Sequence, residues 1–498
     1  MTTGRAWPGG PFADGPPPGA LAVHRPRLAR IGVSELLRVA VVVLVLAACP
    51  VTASVRYGRA VAPGRITGRL GGRLGGRVGD RITGRLGGRV GGRPARSWPE
   101  TLADDVVSAF ARLGPMFVKL GQLMASSPGM FPDVLSNAAL RCLDDMPPFP
   151  APIARRRVAE DLGAPLDRLF RAFDDRPLAA GSIAQVHACV LADGREAVVK
   201  VRRPGIRRRM MTDLRIMYQL SRVLDRYTEV ARLSSMVGII EQLFETTCKE
   251  LNFALEAHNQ GRFGAGLDAY GDNAQVAVPE VYWSHCGPRT ICMQRFHGTP
   301  LDELAGAGTD AELAVRRGVK VWLEAALAHG PFHGDVHAGN LWLLDDGRLA
   351  YLDFGIMGEL APRWRDLLRD MLYTVMFDRD FERVARGLRR CEVLGPDGGT
   401  DAQLGRALRA LFNPLLDSPV SRLNSRAITE MLLSTARQHA GSAPPELALF
   451  TKQLLYFERY SAALAPGWVL GEDPFVLRNV FPAEATERAA ALGVPMPD

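Results

Sequence analysis

The chain has 498 residues, 47% of them hydrophobic, enough for a large core in two or three domains and too many for an intrinsically disordered protein. Its formal charge of +8 is uneven: residues 1–100 hold 16 Arg, no Lys and 4 acids, whereas the remainder carries 45 basic and 49 acidic groups. The body therefore lacks the basic face of a nucleic-acid enzyme, and no specific nucleic-acid partner is expected.

Residues 1–35 begin rich in Gly and Pro and are expected to form a disordered leader. An apolar run over 36–55 follows, interrupted by Arg38 and Pro50. Such a length, at about 1.5 Å per residue, reaches roughly 30 Å, just enough to cross a bilayer if Arg38 sits at the headgroups. One reading is a single membrane anchor or a peripheral interfacial helix. The body would then lie on the cytoplasmic face, because five Arg precede Val39 and eleven follow the run. Leu46-Ala47-Ala48-Cys49 also resembles a lipoprotein signal, and a poorly ordered leader is the third reading.

Within 56–100, Arg65, Arg69, Arg73, Arg77, Arg81, Arg85, Arg89 and Arg93 recur every four residues among glycines. As a helix this stripe drifts about 40° per repeat, and each Gly costs close to 1 kcal/mol, so a flexible cationic linker is expected. It serves as a solvated tether or is drawn to anionic headgroups at about 1 kcal/mol per Arg. Residues 36–96 together are the expected lipid contact.

From Thr101 to Met124, Val106, Phe110, Leu113, Phe117, Leu120 and Leu123 keep helical spacing, with Pro115 dividing the segment. A helical extension over 101–176 is expected to contain Lys119-Leu120-Gly121-Gln122, which alone means nothing. Over 177–296, Ala179-Ala180-Gly181-Ser182 leads into a strand, a turn at Asp193-Gly194 and a second strand, Ala197 to Val201. A loop of small residues can approach phosphates closely, and Lys200 can reach their oxygens. Taken alone, these residues also fit a plain hairpin with a surface lysine.

Over 297–465 the informative stretch is His333-Gly334-Asp335-Val336-His337-Ala338-Gly339-Asn340, followed by a hairpin turning at Asp345-Asp346-Gly347-Arg348 and by Asp353-Phe354-Gly355. Asp335 and Asn340 on one loop, with Asp353 beyond the hairpin, supply hard oxygen ligands suited to Mg²⁺ on the phosphates of ATP. Pro331 and Gly334 break any helix that could align His329, His333 and His337 on zinc, so these histidines are read as bracing loops. Further helical patterns fall near 362–377, 380–391, 402–413, 424–440 and 445–464, with a tail over 466–498. Seven cysteines, without a Cys-x-x-Cys pair, suit a reduced cytosolic body.

Lys-Leu-Gly-Gln, Ala-Ala-Gly-Ser-Ile-Ala-Gln-Val-His, the segment Lys249 to Asn259, His-Gly-Asp and Asp-Phe-Gly occur in the order seen in the UbiB/AarF atypical kinase-like family, which the chain resembles from about 101 to 360. The resemblance implies an α+β, two-lobed protein-kinase-like fold with an N-terminal helical extension and a largely helical C-lobe. It further implies that Lys200 pairs with Glu256, that Asn340 and Asp353 hold Mg²⁺, and that Asp335 sits where kinases place the proton acceptor. Lys119 and Gln122 would project over the nucleotide and meet Glu250, screening the site from protein substrates. Adenine would lie against the strand Thr290–Phe296, near Met293 and Phe296. Asn252 stands where the family has Asp, a change expected to alter selectivity or gating. The implied activity is Mg-dependent ATP binding and hydrolysis at a membrane, supporting isoprenoid-quinone or other lipid metabolism, with lipid or isoprenoid ligands and quinone-pathway proteins as partners. The alternatives are a nucleotide-gated scaffold with negligible turnover and a small-molecule phosphotransferase.

Overall fold

A computed structural model describes residues 7, 9–29, 32–61, 97–125, 131–143, 146–227, 236–304, 309–393, 399–416, 445–466, 468, 473–494 and 496–497. The arginine repeat and the helical pattern near 424–440 lie outside them.

The N-lobe is built on alternation. In β3 (Glu196–Arg202) Ala197, Val199 and Val201 are buried while Val198 and Lys200 face the other way, as a pleated strand requires. It pairs antiparallel with β2 (Ala184–Leu191) through the Asp193-Gly194 turn, where Gly194 takes a positive φ of 93°. β1 (Phe170–Ala180) flanks β2, and β5 (Thr290–Gln294), following the two-residue β4 (Val276–Ala277), flanks β3. Lys200 is thus central, opposite Val186 on one side and Ile291 on the other. The sheet starts at Phe170, so the division expected after residue 176 falls inside a strand.

Helices extend this lobe. α1 (Val33–Val61) lies on α2 (Trp98–Leu113), which opens with a capping box between Ser97 and Glu100. Gly114, at φ 111°, ends α2, and Pro115 starts α3 (Pro115–Ala125), carrying Lys119. α4 (Ile206–Tyr227), α5 (Met236–Glu250) and α6 (Phe253–Ala269) lie in the chain between β3 and β5. Val42, Phe110, Phe117, Leu214 and Val199 share one hydrophobic core.

The described part of the leader, expected to be disordered, is instead laid along this lobe. Phe12 is buried in the core, and Trp7 sets its ring edge-on to His285 with Nε1 donating to Leu162 O at 3.3 Å. The Gly10 N–H donates to Ser284 O at 2.7 Å. Two aromatic side chains supply the burial that Gly/Pro composition conceals, and prolines limit the entropy lost on ordering.

In the C-lobe, α7 (Thr309–Glu324) packs beneath the hairpin of β8 (Leu341–Leu344) and β9 (Leu349–Tyr351), which is completed by β4 and by β6 (Gly298–Pro300). β7 (Phe332–His333) pairs with β10 (Met357–Gly358). α8 (Pro362–Tyr373), α9 (Phe381–Arg390), α10 (Asp401–Leu416), α11 (Pro445–Leu464) and α12 (Pro482–Leu492) follow. The described part of 466–498 is not a free tail. Phe475 and Leu477 are buried in the C-lobe core, and Arg316 holds Asp473 through two bonds of 2.7 and 3.2 Å.

Glu324 is fully buried and accepts from Asn273, Asn479 and, at 2.9 Å, His329. Burial pulls the His329 imidazolium down, but the Glu324 carboxylate outweighs it and leaves the pKa raised. A folded pKa above the unfolded one gives stability that is full below about 6.5 and lost as pH rises through the folded value. His329→Gln should therefore narrow the gap in thermal midpoint between pH 5.5 and 8.5; a gap equal to that of the native chain would disprove this coupling.

Candidate functional site

Lys200 Nζ lies 2.5 Å from Glu256 Oε1 and 2.9 Å from Asp353 Oδ2, joining strand, helix and Asp-Phe-Gly turn at one point. Burial alone would lower the ammonium, but Asp353 and Glu256 outweigh it and hold Lys200 above the ordinary lysine value. Burial likewise pushes the Glu256 carboxyl up to about 7 against the pull of Lys200. It would also raise Asp353, yet Lys200 and the Gly355 N–H keep that carboxyl well below the usual range. Asp353 itself adopts φ 56°, a left-handed conformation that is uncommon outside Gly and points to a constrained turn.

α6 organises this point with one face. Glu256 meets Lys200, the Asn259 amide donates to Phe354 O at 3.4 Å, and Phe263 packs its ring 5.5 Å from that of Phe354. Spacings of three and four residues align the three.

The Asp335 loop is ordered by a buried neutral imidazole. His333 Nε2 donates to Leu352 O at 3.0 Å, and Nδ1 accepts the Asp335 N–H at 3.2 Å. Burial holds its pKa down, which preserves that tautomer. Gln453 and Tyr460 of α11 grip the Val336 peptide, accepting its N–H at 2.9 Å and donating to its carbonyl at 2.8 Å. Lys452 Nζ stands 3.9 Å from one Asp335 oxygen, and His337 Nε2 stands 3.8 Å from the other. These α11 residues escaped the sequence reading; the available signal was Gln453 and Tyr460 seven residues apart on one helical face.

Asn340 donates its amide to Asp335 O at 2.9 Å, and its side-chain oxygen accepts no bond among the described residues. Glu250 Oε1 is buried without a partner among the described residues, and its carboxyl is raised, first by burial and further by Asp335 and Asp353. An acidic cluster with an unused oxygen fits a divalent cation. Among the described residues no three His, Cys, Asp or Glu gather as a metal site. Mg²⁺ takes one or two protein oxygens and completes its shell from phosphates and water, and Asn340 and Asp353 would offer such oxygens.

Lys119 Nζ is 2.5 Å from Glu250 Oε2, with both side chains largely buried beside this cluster. Gln122 does not join it; its amide donates to Cys142 O at 3.0 Å. Gly121 brings α3 so close that a Cβ there would overlap Cys142 Sγ. Ala179 and Ala180 lie in the β1 ladder opposite Val186 and Gln185, leaving the turn to Gly181, Ser182 and Ile183. Arg203 donates to Gly181 O at 2.8 Å, while Gln185 holds both the N–H and the carbonyl of Phe149. Met293 accepts from Gln260 through sulfur, and Phe296 packs below on Leu344 and Ala350.

Asn252 caps α6 by accepting the Leu255 N–H, and its amide donates to Ala20 O at 2.9 Å and Ala22 O at 3.3 Å. An aspartate could cap the helix but has no donor for the leader. Asn252→Asp should leave the fold intact and free the leader. Two bonds at about 1 kcal/mol each correspond to a roughly thirtyfold rise in the open population. Faster tryptic cleavage after Arg27 would register it, and unchanged cleavage would refute it.

Sheet, lysine–glutamate pair and the acidic loop of the second lobe define a protein-kinase-like fold. A family model described as the ABC1 atypical kinase-like domain matches residues 141–388. An uncharacterized protein of Mycobacterium tuberculosis H37Rv is 36% identical over 383 residues, covering 76% of this chain and 78% of that one. An uncharacterized chloroplastic aarF domain-containing protein kinase of Arabidopsis thaliana is 32% identical, covering 73% and 72%. A probable protein kinase UbiB of Azotobacter vinelandii is 32% identical, covering 72% and 67%. The chain belongs to the UbiB/AarF family of atypical kinase-like proteins.

Proposed function

We propose that the chain binds ATP with Mg²⁺ between its lobes and hydrolyses it at a membrane, in support of isoprenoid-quinone or other lipid metabolism. The observation that carries this reading is the meeting of Lys200, Glu256 and Asp353 beside Asn340 and Asp335. Lys200, fixed by two carboxylates, orients phosphate oxygens. Asn340 and Asp353 hold the metal, which when bound neutralises charge developing on the phosphates. Asp335, set by His333 and Val336, receives the proton of the attacking water. The Gly181-Ser182 turn covers the phosphates, and Met293 and Phe296 border the adenine. Family membership supports the membrane and quinone assignment.

A second reading, a nucleotide-gated scaffold with negligible turnover, is favoured by the Lys119–Glu250 pair, which occupies the cluster where metal and phosphate would sit. ATPase activity of the native chain and Asp353→Asn, with and without anionic liposomes, tests both. Equal rates for the two chains, with nucleotide still bound, would leave only the scaffold.

A further inference from the structure

Residues 39–55 contain no charged side chain, and Glu35–Tyr57 is long and apolar enough by composition to cross a membrane. Yet α1 is tied to the body by charge. Glu35, buried, meets Arg215 at 2.9 Å, and Arg38 meets the fully buried Asp213 through bonds of 2.7 and 3.1 Å. Asp105 binds Arg56 and accepts from Thr52 at 2.7 Å. Standing α1 across a bilayer would strip Asp213 and Asp105 of their partners, or draw into hydrocarbon the start of α4, with exposed Arg207, Arg208 and Arg209.

Only 17% of the apolar stretch is buried by the body. The side turned away carries Val33, Leu37, Val41, Leu44, Val51 and Val55, exposed from 45% at Val41 to 75% at Val33. Their spacing of three, four or seven residues makes one stripe, about 33 Å long at 1.5 Å per residue. A stripe of this extent is more than a monomer leaves bare. Its surroundings choose the occupant. The segment of residues 1–100 that bears it carries 16 Arg against 4 acids, so a second copy would set like charges together, whereas anionic headgroups would meet opposite ones.

We propose that α1 lies flat in the interface of an anionic bilayer, its outer stripe in the acyl boundary and its inner face clasped by α2 and α4, without crossing. This rests on the membrane-association reading above and gives that reading an orientation. The body is then held within a helix diameter of the lipid. Arg38, which also donates to Leu113 O, joins the lipid-bound helix to the turn before α3.

The test uses the full chain. Flotation with phosphatidylcholine vesicles, with and without phosphatidylglycerol, should show binding that needs the anionic lipid and falls at least tenfold in Leu37→Asp/Leu44→Asp. In membrane vesicles from expressing cells, an impermeant maleimide should reach Gly32→Cys and Ser54→Cys from the same side; the native cysteines are buried. Labelling from opposite sides would establish a spanning helix and overturn the flat orientation while keeping membrane association. Failure of the native chain to bind either vesicle would overturn both. A double variant that loses self-association but still floats would assign the stripe to a second copy and overturn the proposal.

Discussion

Lys200→Met should destabilise the ligand-free chain by about 3–5 kcal/mol, the usual cost of removing one partner from a buried ion pair. The substitution leaves Glu256 and Asp353 facing each other with no cation between, although both now lie within 2.9 Å of Lys200 Nζ. The deficit should depend on pH. In the native chain Asp353, depressed mainly by Lys200, contributes stability above about 3.9 that is lost as pH falls through its folded value. Glu256, raised to about 7 by burial, already favours the proton. Without Lys200 it should stay protonated at higher pH, so stability should recover as pH falls from 8 toward 6. Urea unfolding of both chains at pH 6 and 8 measures this, and a deficit that is absent or the same at both pH values would show that the three groups are not coupled.

Asp353→Asn should lower ATP hydrolysis by about a hundredfold or more, the scale of losing one preorganised electrostatic contact at a reacting phosphate. The amide removes the charge from one of the two proposed metal ligands while Asn340 and the Lys200–Glu256 pair remain. Nucleotide affinity should fall far less than turnover. Phosphate release at saturating ATP, with affinity from a fluorescent analogue, separates the two. A parallel collapse of affinity would mean that Asp353 serves binding rather than the chemical step.

Local order was the legible part of the sequence. Asp345-Asp346-Gly347 marked the β8–β9 hairpin, Pro115 marked the division of α2 from α3, and the run from Ala197 to Val201 marked the strand that carries Lys200. The contact of Lys200 with Glu256 came only with the family resemblance, because no local rule relates residues 56 apart. Long-range closure was illegible. Gln122 turned to Cys142 because Gly121 lets α3 approach closely, and the leader was ordered by Trp7 and Phe12 finding partners near His285 and in the core. Residues 473–494 joined the C-lobe because Phe475 and Leu477 found room against α7. Each outcome depends on a surface that exists only once the chain has folded.

The shared face of α6 has a mechanical corollary. Glu256, Asn259 and Phe263 ride on one rigid rod, so the rod cannot turn enough to release the Lys200 ammonium without also withdrawing the amide from Phe354 O and the ring from the Phe354 side chain. Lysine release and displacement of the Asp-Phe-Gly turn are therefore a single event. The cleft should behave as a toggle with two settings, and partial substitutions along that face should shift the balance between settings rather than create an intermediate one.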